Sequence, residues 1–427
     1  MLHKLIYNFG TRKRNPSLFN YYSFLKQTDN WSYEQLQELQ LKRSKDFLCF
    51  VNKYSPYYKN IFNDLDFLPE NIESIQDLKE LPIIEKSDLL KFNEDIHSQY
   101  SFKKVFFSET SGTSGQPLKF YRNEEWDSHN RAAMFRGYSW YNVYPWDKNG
   151  YFWGYNISKK SKFRIQLLDF LQNRFRVFSY DEKEIEAFVR KLKKAKYLSG
   201  YSSMIYEVAK LVNKMGLSND FNLKMIKGTS EQIFPKYFEE VQAAFGGKII
   251  SEYGAAESGL IAFECPYGNM HINMENVIVE EDEGDIIVTN LLSRSFPIIR
   301  YRLGDRVKLA DNSFKCKCGR SHPVLLEVMG RTGKRVFGKE KSYPSFTFYY
   351  VFKNLALNHN LSLNYQAIQE ERGKVILKIE QEDKTYNHLL QNELMKYFSD
   401  DIEFSISYGQ QLHTMNGKLK DFITKLD

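Results

Sequence analysis

The sequence contains few cysteines, no long apolar run and little excess charge of either sign. Only 4 of the 427 residues are cysteine, too few for a disulfide framework. No 18 uncharged apolar residues follow one another, which excludes a transmembrane helix. The opening residues interrupt their apolar run with His3, Lys4 and Arg12 and contain no small-residue cleavage site. We therefore expect no signal peptide and a cytoplasmic protein.

The small charge excess also argues against one class of function. Lys and Arg outnumber Asp and Glu by 60 to 53, a net charge of +7 over the whole chain. Aromatic residues are frequent, at 16%, but they do not alternate with basic residues in the way typical of nucleic-acid binding. We expect no nucleic-acid partner.

The composition is that of a globular protein. With 42% hydrophobic and 26% charged residues, the chain can bury a large core, which excludes disorder and a collagen-like or coiled-coil architecture. Its length predicts about three domain-sized units, or one large domain with a smaller one attached.

Helical and strand-like patterns alternate through the first three quarters of the chain. Apolar spacings near three and four predict helices, and short apolar runs with β-branched residues predict buried strands. Together they predict an α/β fold. The helices are expected at 33–54, 182–198 and 202–215, with a turn at Ser199–Tyr201, and the strands at 104–108, 248–253, 285–291 and 297–303.

After about residue 330 the pattern changes to a compact α+β unit. Strands are expected at 365–370, 375–381 and 402–408, and a helix at 387–398. The glycines of Gly330–Gly338 indicate a flexible connection. We predict a large N-terminal domain, 1–330, and a small C-terminal domain, 331–427.

The segment that follows the strand at 104–108 has a composition suited to phosphate. It alternates hydroxyl residues with glycines, so backbone amides and hydroxyls can converge on a polyphosphate. Taken alone it is equally typical of a solvated turn. Its residues are Thr110, Ser111, Gly112, Thr113, Ser114 and Gly115.

Two further segments place a carboxylate after an apolar strand. Glu257 follows the strand that ends at Tyr253-Gly254, and a carboxylate there can hold Mg²⁺ against phosphate oxygens. Asp305 follows the strand at 297–303 and can accept both hydroxyls of a ribose. Each motif by itself is also what a surface turn provides.

In this order, the motifs resemble those of one family. The chain is similar to adenylate-forming (AMP-binding) enzymes of the phenylacetate–coenzyme A ligase type, and most similar to the capsular polysaccharide biosynthesis branch. The resemblance covers roughly three quarters of the chain. It rests on the loop 110–117, Gly228-Thr229-Ser230-Glu231, Tyr253-Gly254-Ala255-Ala256-Glu257, Tyr301-Arg302-Leu303-Gly304-Asp305, Gly330-Arg331 and Asn416-Gly417-Lys418.

The resemblance implies a fold, a reaction and a set of roles. A large α/β domain binds ATP, Mg²⁺ and a carboxylic acid, and a small mobile α+β domain carries a catalytic lysine. The acid attacks the α-phosphate of ATP, pyrophosphate leaves, and the acyl group of the adenylate passes to coenzyme A. Glu257 is expected to hold Mg²⁺ and Lys418 to bridge the carboxylate and the phosphate. The loop 110–115 would bind pyrophosphate, and adenine and ribose would contact Gly228, Thr229, Ser230, Glu231, Tyr253, Gly254, Asp305 and Arg331.

At the hinge the sequence departs from the family. The usual acidic or lysine residue and the following Ile-Lys are replaced by Gly333-Lys334-Arg335. Gly333 can still absorb a large change of backbone angles.

Three of the four cysteines and a histidine form a candidate metal set. Cys265, His271, Cys316 and Cys318 would give three thiolates and an imidazole, a tetrahedral zinc site with no open position. His322 competes with His271 for the fourth place, and three unconnected thiols are the alternative. Similar cysteines in some relatives favour structural zinc.

The segment 138–155 is rich in aromatics, and the corresponding region of the family contributes to the acyl pocket. Most of these rings are expected to pack in the core. The candidates for the pocket are Trp140, Trp153 and Tyr155.

Several alternatives stay open at this point. The adenylate could pass to an amino group on a sugar and form an amide in capsule or cell-surface polysaccharide biosynthesis. A catalytically silent relative is disfavoured because Glu257, Asp305, Arg331 and Lys418 are all present. A homodimer is an open alternative to a monomer.

Overall fold

The computed structural model describes most of the chain. The residues it describes are all except 1, 111–116, 153–158, 178–181, 219–220, 231–232, 234, 312, 330–334, 346, 360, 362, 364, 413, 416–417, 420–421 and 427.

Helices occupy the N-terminal region and alternate with strands afterwards. The α-helices are α1 Leu2–Arg14, α2 Leu18–Thr28, α3 Tyr33–Tyr54, α4 Pro56–Asp64, α5 Lys86–Lys91, α6 Asn93–Ile96, α7 Glu124–Trp140, α8 Lys159–Leu171, α9 Glu182–Leu192, α10 Ser202–Lys214, α11 Pro235–Phe245, α12 Thr347–His359 and α13 Asn387–Phe398. Short 3₁₀ turns cover Pro69–Asn71 and Ile75–Glu80.

The strands of the first three quarters of the chain are β1 Val105–Glu109, β2 Lys119–Asn123, β3 Asn149–Phe152, β4 Arg174–Arg176, β5 Tyr197–Tyr201, β6 Met225–Thr229, β7 Ile249–Ala255, β8 Gly259–Glu264, β9 Met270–Ile272, β10 Val277–Asp282, β11 Asp285–Asn290, β12 Ile298–Leu309 and β13 Val324–Met329. Those that follow are β14 Arg335–Phe337, β15 Ser342–Pro344, β16 Tyr365–Glu371, β17 Lys374–Ile379, β18 Glu403–Ser407, β19 Thr414–Met415, β20 Lys418–Leu419 and β21 Phe422–Thr424.

Within the described residues, one mixed sheet of eleven strands dominates the first three quarters of the chain. Its strand order is β10-β11-β12-β13-β9-β8-β7-β6-β5-β3-β4. The strands from β4 to β7 are parallel, and those from β7 to β10 are antiparallel. The carboxyl ends of β5, β6 and β7 therefore meet at one edge, where ligands of open α/β sheets bind.

One predicted helix was too long. The expected helix 182–198 ends at Leu192, and the expected turn at Ser199–Tyr201 lies instead in β5, whose residues are all buried between β3 and β6. A Cβ on Gly200 would lie 2.2 Å from the carbonyl oxygen of Phe152. Glycine marks a close approach of two strands here, which sequence alone does not distinguish from a turn.

The second compact unit has its own core. Its four-stranded sheet has the order β18-β17-β16-β21 and mixes parallel and antiparallel pairs. The helices α12 and α13 contribute Phe348, Leu355, Leu390 and Phe398 to a buried cluster with the sheet. The strands and the helix expected between 365 and 408 are confirmed within one or two residues.

The chain separates into two compact units, one formed by Met1–Ser108 with Phe120–Arg331 and one by Glu109–Lys119 with Thr332–Asp427. In the part of the chain that is described, no helix is both long enough and apolar enough to cross a membrane.

Candidate active site and metal centre

Two of the motifs that the sequence singled out lie against each other. Tyr253 is on β7 and Asp305 is on β12, and the tyrosine hydroxyl donates a hydrogen bond of 2.9 Å to Oδ2 of the aspartate. A hydrogen bond from a hydroxyl to a carboxylate fixes the orientation of that carboxylate. The structure thus orients the carboxylate that the sequence predicts to bind ribose.

Glu257 belongs to the same group of residues. Its side chain is buried, and Oε1 lies 3.3 Å from the hydroxyl of Tyr301. The side chain of Asn290 donates to the backbone carbonyl of Glu257 over 3.2 Å. Each tyrosine therefore contacts the carboxylate of the other motif. The two motifs form one cross-linked cluster rather than two independent turns.

Gly254 has a steric role in this cluster. A Cβ at this position would lie 2.3 Å from the backbone carbonyl oxygen of Gly259 and 3.0 Å from the Cα of Leu260. Both obstacles are backbone atoms and cannot swing aside. Glycine is therefore required at this position for β7 to pair closely with β8. Glu257 lies in the turn between these two strands.

The predicted adenine segment begins inside β6, whose last two residues are Gly228 and Thr229. A Cβ on Gly228 would lie 2.4 Å from Oγ of Ser202, and Ser230 has a positive φ of 66°. Thr229 donates a hydrogen bond of 3.2 Å from Oγ1 to Glu252 on the neighbouring strand. This places the segment at the carboxyl edge of the parallel strands, beside Tyr253.

Sequence reasoning missed a buried ion pair at this edge. Lys227 is buried in β6, and its Nζ lies 2.7 Å from Oε2 of Glu252. The same ammonium group lies 5.5 Å from the centre of the Tyr138 ring. The only signal for it was a charged residue inside an otherwise apolar strand. The pair fixes the end of β6 against β7.

The base of the hydroxyl-rich loop is closed by backbone pairing. The backbone N–H of Thr110 donates to the carbonyl of Leu118 over 2.9 Å, and the N–H of Leu118 donates to Oγ1 of Thr110 over 3.0 Å. Thr110 is buried. Ser111, Gly112, Thr113, Ser114 and Gly115 lie outside the described residues, and their role stays a prediction.

Several other predicted site residues are not described. Glu231, Arg331, Trp153 and Tyr155 lie outside the described residues, and Lys418 is described only as part of the strand β20. Trp140 is described, and it lies beside the cysteine–histidine cluster. Its indole N–H donates to Asp29 over 3.1 Å, and its ring meets that of His271 edge-on at 6.1 Å.

The four predicted metal ligands converge. The ligand atoms of Cys265, His271, Cys316 and Cys318 all lie within 4.8 Å of one another. The sulfurs of Cys265 and Cys316 are 3.7 Å apart, and the sulfur of Cys318 is 3.1 Å from Nε2 of His271. Residues 51 positions apart in the chain are therefore brought close enough together to ligate one metal ion.

Backbone contacts hold this cluster in shape. The N–H of Gly268 donates to the carbonyl of Cys265 over 2.8 Å, and Gly319 does the same to Cys316 over 3.1 Å. Both glycines have φ near 80°, a conformation that favours glycine. Cys265 thus begins one tight turn, and Cys316 and Cys318 lie in another.

His271, rather than His322, faces the sulfurs. Nδ1 of His271 donates to the backbone carbonyl of His322 over 2.9 Å, which leaves Nε2 for a metal. Nε2 of His322 instead lies 2.9 Å from the buried carboxylate of Glu275, which also pairs with the buried Arg136 over 2.5 Å. The geometry decides between the two histidines that the sequence left open.

The protonation chemistry of the cluster suits a cation. Burial lowers the pKa of His271 to about 4, so its imidazole is neutral near pH 7, as a metal ligand must be. Burial raises the pKa of the Cys265 thiol to about 12. Without a positive ion the buried sulfur stays protonated, whereas a bound metal favours the thiolate.

Comparison with known proteins agrees with the motifs. No protein-family profile matches the chain. It is 23% identical to Protein CapK of Staphylococcus aureus over 317 residues, 72% of this chain and 70% of CapK. It is 22% identical to phenylacetate–coenzyme A ligase of Thermus thermophilus over 331 residues, 70% of this chain and 71% of the ligase. The chain is a homologue of both proteins. The family resemblance predicted from the motifs is confirmed.

Solved structures confirm the predicted fold class. A 2-hydroxyisobutyryl-CoA ligase, solved in complex with 2-HIB-AMP and CoA in its thioesterification state, superposes with a TM-score of 0.64 at 16% identity. The match covers 93% of this chain and 91% of that ligase. A postadenylation-state structure of 2-hydroxyisobutyryl-CoA ligase gives a TM-score of 0.60 at 15% identity and covers 94% of this chain and 92% of that one. The chain has the fold of these adenylate-forming ligases.

Proposed function

We propose that this protein activates a carboxylic acid with ATP and transfers the acyl group to coenzyme A. The observation that carries the proposal is the cross-linked cluster of Tyr253, Asp305, Glu257 and Tyr301. It brings the expected ribose-binding carboxylate and the expected magnesium-binding carboxylate to one site. The homology to phenylacetate–coenzyme A ligase supports the same class of enzyme.

The first half-reaction forms the adenylate. A carboxylate oxygen of the acid attacks the α-phosphorus of ATP, the bond from that phosphorus to the bridging oxygen of the β-phosphate breaks, and pyrophosphate leaves. The attacking acid and the triphosphate are both anions, so their approach needs positive charge at the reacting oxygens. In the proposal, Lys418 provides it, and Asp305 and Arg331 hold the ribose and the phosphate.

In the second half-reaction the acyl group is transferred from AMP to coenzyme A. The sulfur of coenzyme A attacks the acyl carbon of the adenylate, the bond between that carbon and the AMP phosphate oxygen breaks, AMP leaves, and the thiol proton passes to solvent. This acceptor is proposed because coenzyme A appears in the names of the Thermus thermophilus homologue and of the structural relative. The division of labour is also a proposal, with ATP and acid bound by residues 1–330 and the lysine supplied by 331–427.

Two metals belong to the proposal. Glu257 fits Mg²⁺ because it offers a buried carboxylate that Tyr301 orients, and a bound Mg²⁺ would neutralise phosphate charge. Cys265, His271, Cys316 and Cys318 fit Zn²⁺ in a structural site, because four protein ligands leave no open position for chemistry. The zinc would connect Cys265 at the end of β8 and His271 on β9 to the turn that contains Cys316 and Cys318.

A second acceptor stays a candidate because the motifs are most similar to those of the capsular polysaccharide biosynthesis branch of the family. In this version the same adenylate passes to an amino group on a sugar and forms an amide. Both versions share the first half-reaction and differ only in the nucleophile.

The test is pyrophosphate release with ATP and Mg²⁺ across a panel of aryl, aliphatic and amino acids, with and without coenzyme A. We expect release that depends on the acid and turns over repeatedly only with coenzyme A. Turnover with an amino sugar in place of the thiol would select the amide version. Absence of release with every acid, together with no ATP binding by calorimetry, would refute both.

A further inference from the structure

Two neighbouring helices of the first unit expose a large apolar surface that the proposed reaction does not use. On α1, Leu2, Leu5 and Phe9 are 65%, 63% and 74% exposed. On α8, Phe163 and Phe170 are 74% and 67% exposed, and Leu167 lies between them. Single exposed apolar residues are ordinary, but a contiguous group of this size marks an interaction surface.

The spacing on each helix makes this a stripe rather than a scatter. Positions 2, 5 and 9 of α1 and positions 163, 167 and 170 of α8 recur at intervals of three and four. Residues at these intervals share one face of a helix. Both stripes are therefore continuous along their helices.

The two helices lie side by side. The ring of His3 on α1 meets the ring of Phe170 on α8 edge-on, with centroids 5.7 Å apart. The opposite side of α1 faces the protein: Tyr7 contacts Phe135 and Trp146, each at 6.1 Å between ring centroids. The exposed stripe is thus the outer side of a helix whose inner side is already packed. We call α1 and α8 together the helix-pair surface.

The sequences of the same two helices are also rich in basic residues. Together α1 and α8 contain eight Lys and Arg residues and one acidic residue, Asp169. Their net charge of +7 equals the net charge of the whole chain, so the remaining residues sum to zero. Asp169 is buried and paired with Arg174 and Arg176 at 2.5 and 2.6 Å. Asp169 is therefore already paired with arginines outside the two helices. On α1, Arg14 is likewise paired, with the buried Asp127 at 2.7 Å.

We propose that the helix-pair surface binds the face of an anionic lipid bilayer. Apolar side chains beside clustered Lys and Arg residues are the composition of helices that lie in the membrane interface. A surface for a protein partner would be depleted in lysine, whereas α1 and α8 together carry five. The chain would associate with the bilayer from one side without spanning it.

The test is sedimentation of the full chain with large vesicles of phosphatidylcholine alone and of phosphatidylcholine mixed equally with phosphatidylglycerol. We expect binding to the mixed vesicles at least about tenfold stronger than to phosphatidylcholine, weakened by added salt. Replacing Phe9, Phe163 and Phe170 with serine should weaken that binding roughly tenfold or more. The charge variant Arg12→Gln, Lys13→Gln and Arg164→Gln should reduce the preference for anionic vesicles.

The matched control replaces three exposed leucines elsewhere in the same unit, Leu65, Leu68 and Leu326, with serine and should bind vesicles like the parent. ATP binding by calorimetry should be equal in all variants, because none of the altered residues belongs to the proposed active site. Three results would overturn the proposal. They are failure of the parent to bind either vesicle, equal binding by the phenylalanine variant, and a parent dimer that this variant dissociates without any vesicle binding.

Discussion

The hydroxyl of Tyr253 donates a hydrogen bond of 2.9 Å to the carboxylate of Asp305, which lies 52 positions further along the chain. This contact joins the end of a parallel strand to the antiparallel part of the sheet. The contact gives the tyrosine that precedes Gly254 in its motif a role, because its hydroxyl holds the Asp305 carboxylate. The tyrosine orients the carboxylate that the account assigns to ribose.

Tyr253→Phe should weaken the use of ATP more than the use of the acid. A hydrogen bond to a charged group contributes roughly 1.5–3 kcal/mol, so we expect kcat/KM for ATP to fall about tenfold or more. The KM for the acid should change little, because the acid does not contact the ribose. Steady-state kinetics with each substrate varied in turn measures both. Tyr386→Phe, at an exposed tyrosine of the second unit, is the control. An equal loss for ATP and acid would contradict the ribose assignment.

Lys418→Ala should separate the two half-reactions. Removing a cation that stabilises the developing charge costs on the order of 10²–10³ in rate, and we expect this loss in adenylate formation alone. Thioester formation from a supplied acyl-adenylate should stay close to the parent rate. Lys425→Ala is the control, because Lys425 is an exposed lysine paired with Glu370 over 2.7 Å. If both half-reactions fell equally, Lys418 would not have the proposed role.

Cys318→Ser should release metal and lower stability. The sulfur of Cys318 lies 3.1 Å from Nε2 of His271, so its loss removes one of four ligands. We expect the zinc content to fall from about one per chain to near zero, and Tm to fall by several degrees. Elemental analysis and thermal unfolding measure the two effects. Cys49→Ser changes an exposed cysteine outside the cluster and should do neither. A parent protein purified without zinc that gains no stability from added zinc would refute the site.

His129 should make the fold less stable in acid. Its ring stacks on Tyr21 with centroids 3.5 Å apart, and burial lowers its pKa to about 3. The unfolded chain takes up a proton below about pH 6.5 that the folded chain excludes, so stability is greatest above that pH and declines toward pH 3. Between these pH values, His129 should contribute about 1.4 kcal/mol per pH unit to the slope of the unfolding free energy against pH.

His129→Phe keeps an aromatic ring on Tyr21 and removes the titration. Urea unfolding at several pH values between 7 and 5 should therefore show a gentler loss of stability in this variant than in the parent. Parallel slopes for the two proteins would show that His129 is not the buried neutral group described here.

The sequence predicted those parts of the fold and site that depend on local pattern. The helix 33–54 and the second-unit helix 387–398 have the predicted bounds, because apolar spacing decides them locally. A capping box of Ser32 and Gln35 also fixes the start of the first helix. The buried strand at Tyr197–Tyr201 was missed, because a glycine that admits a neighbouring strand has the same local signature as a turn glycine. The sequence also grouped Cys265, His271, Cys316 and Cys318 as a candidate set, and the structure brings their ligand atoms within 4.8 Å of one another.

What the sequence could not provide were long-range contacts between side chains. The choice of His271 over His322 depends on a backbone carbonyl and on the buried Glu275 and Arg136, none of which has a spacing rule. The Lys227–Glu252 pair likewise follows no spacing rule, so the sequence did not predict it. Trp140 was predicted for the acyl pocket. Its described contacts include Asp29, His271, Phe263 and Arg320, and its role in acid binding stays a prediction.

Exchange of labelled pyrophosphate into ATP measures the formation of the acyl-adenylate directly, because only the reversible first half-reaction returns pyrophosphate to ATP. The exchange is measured with Mg²⁺ and each acid of the panel, in the absence of coenzyme A. We expect exchange that requires a particular class of acid, needs no thiol and is lost in Lys418→Ala. No acid-dependent exchange with any acid, from a protein that binds ATP, would contradict the proposed adenylate formation.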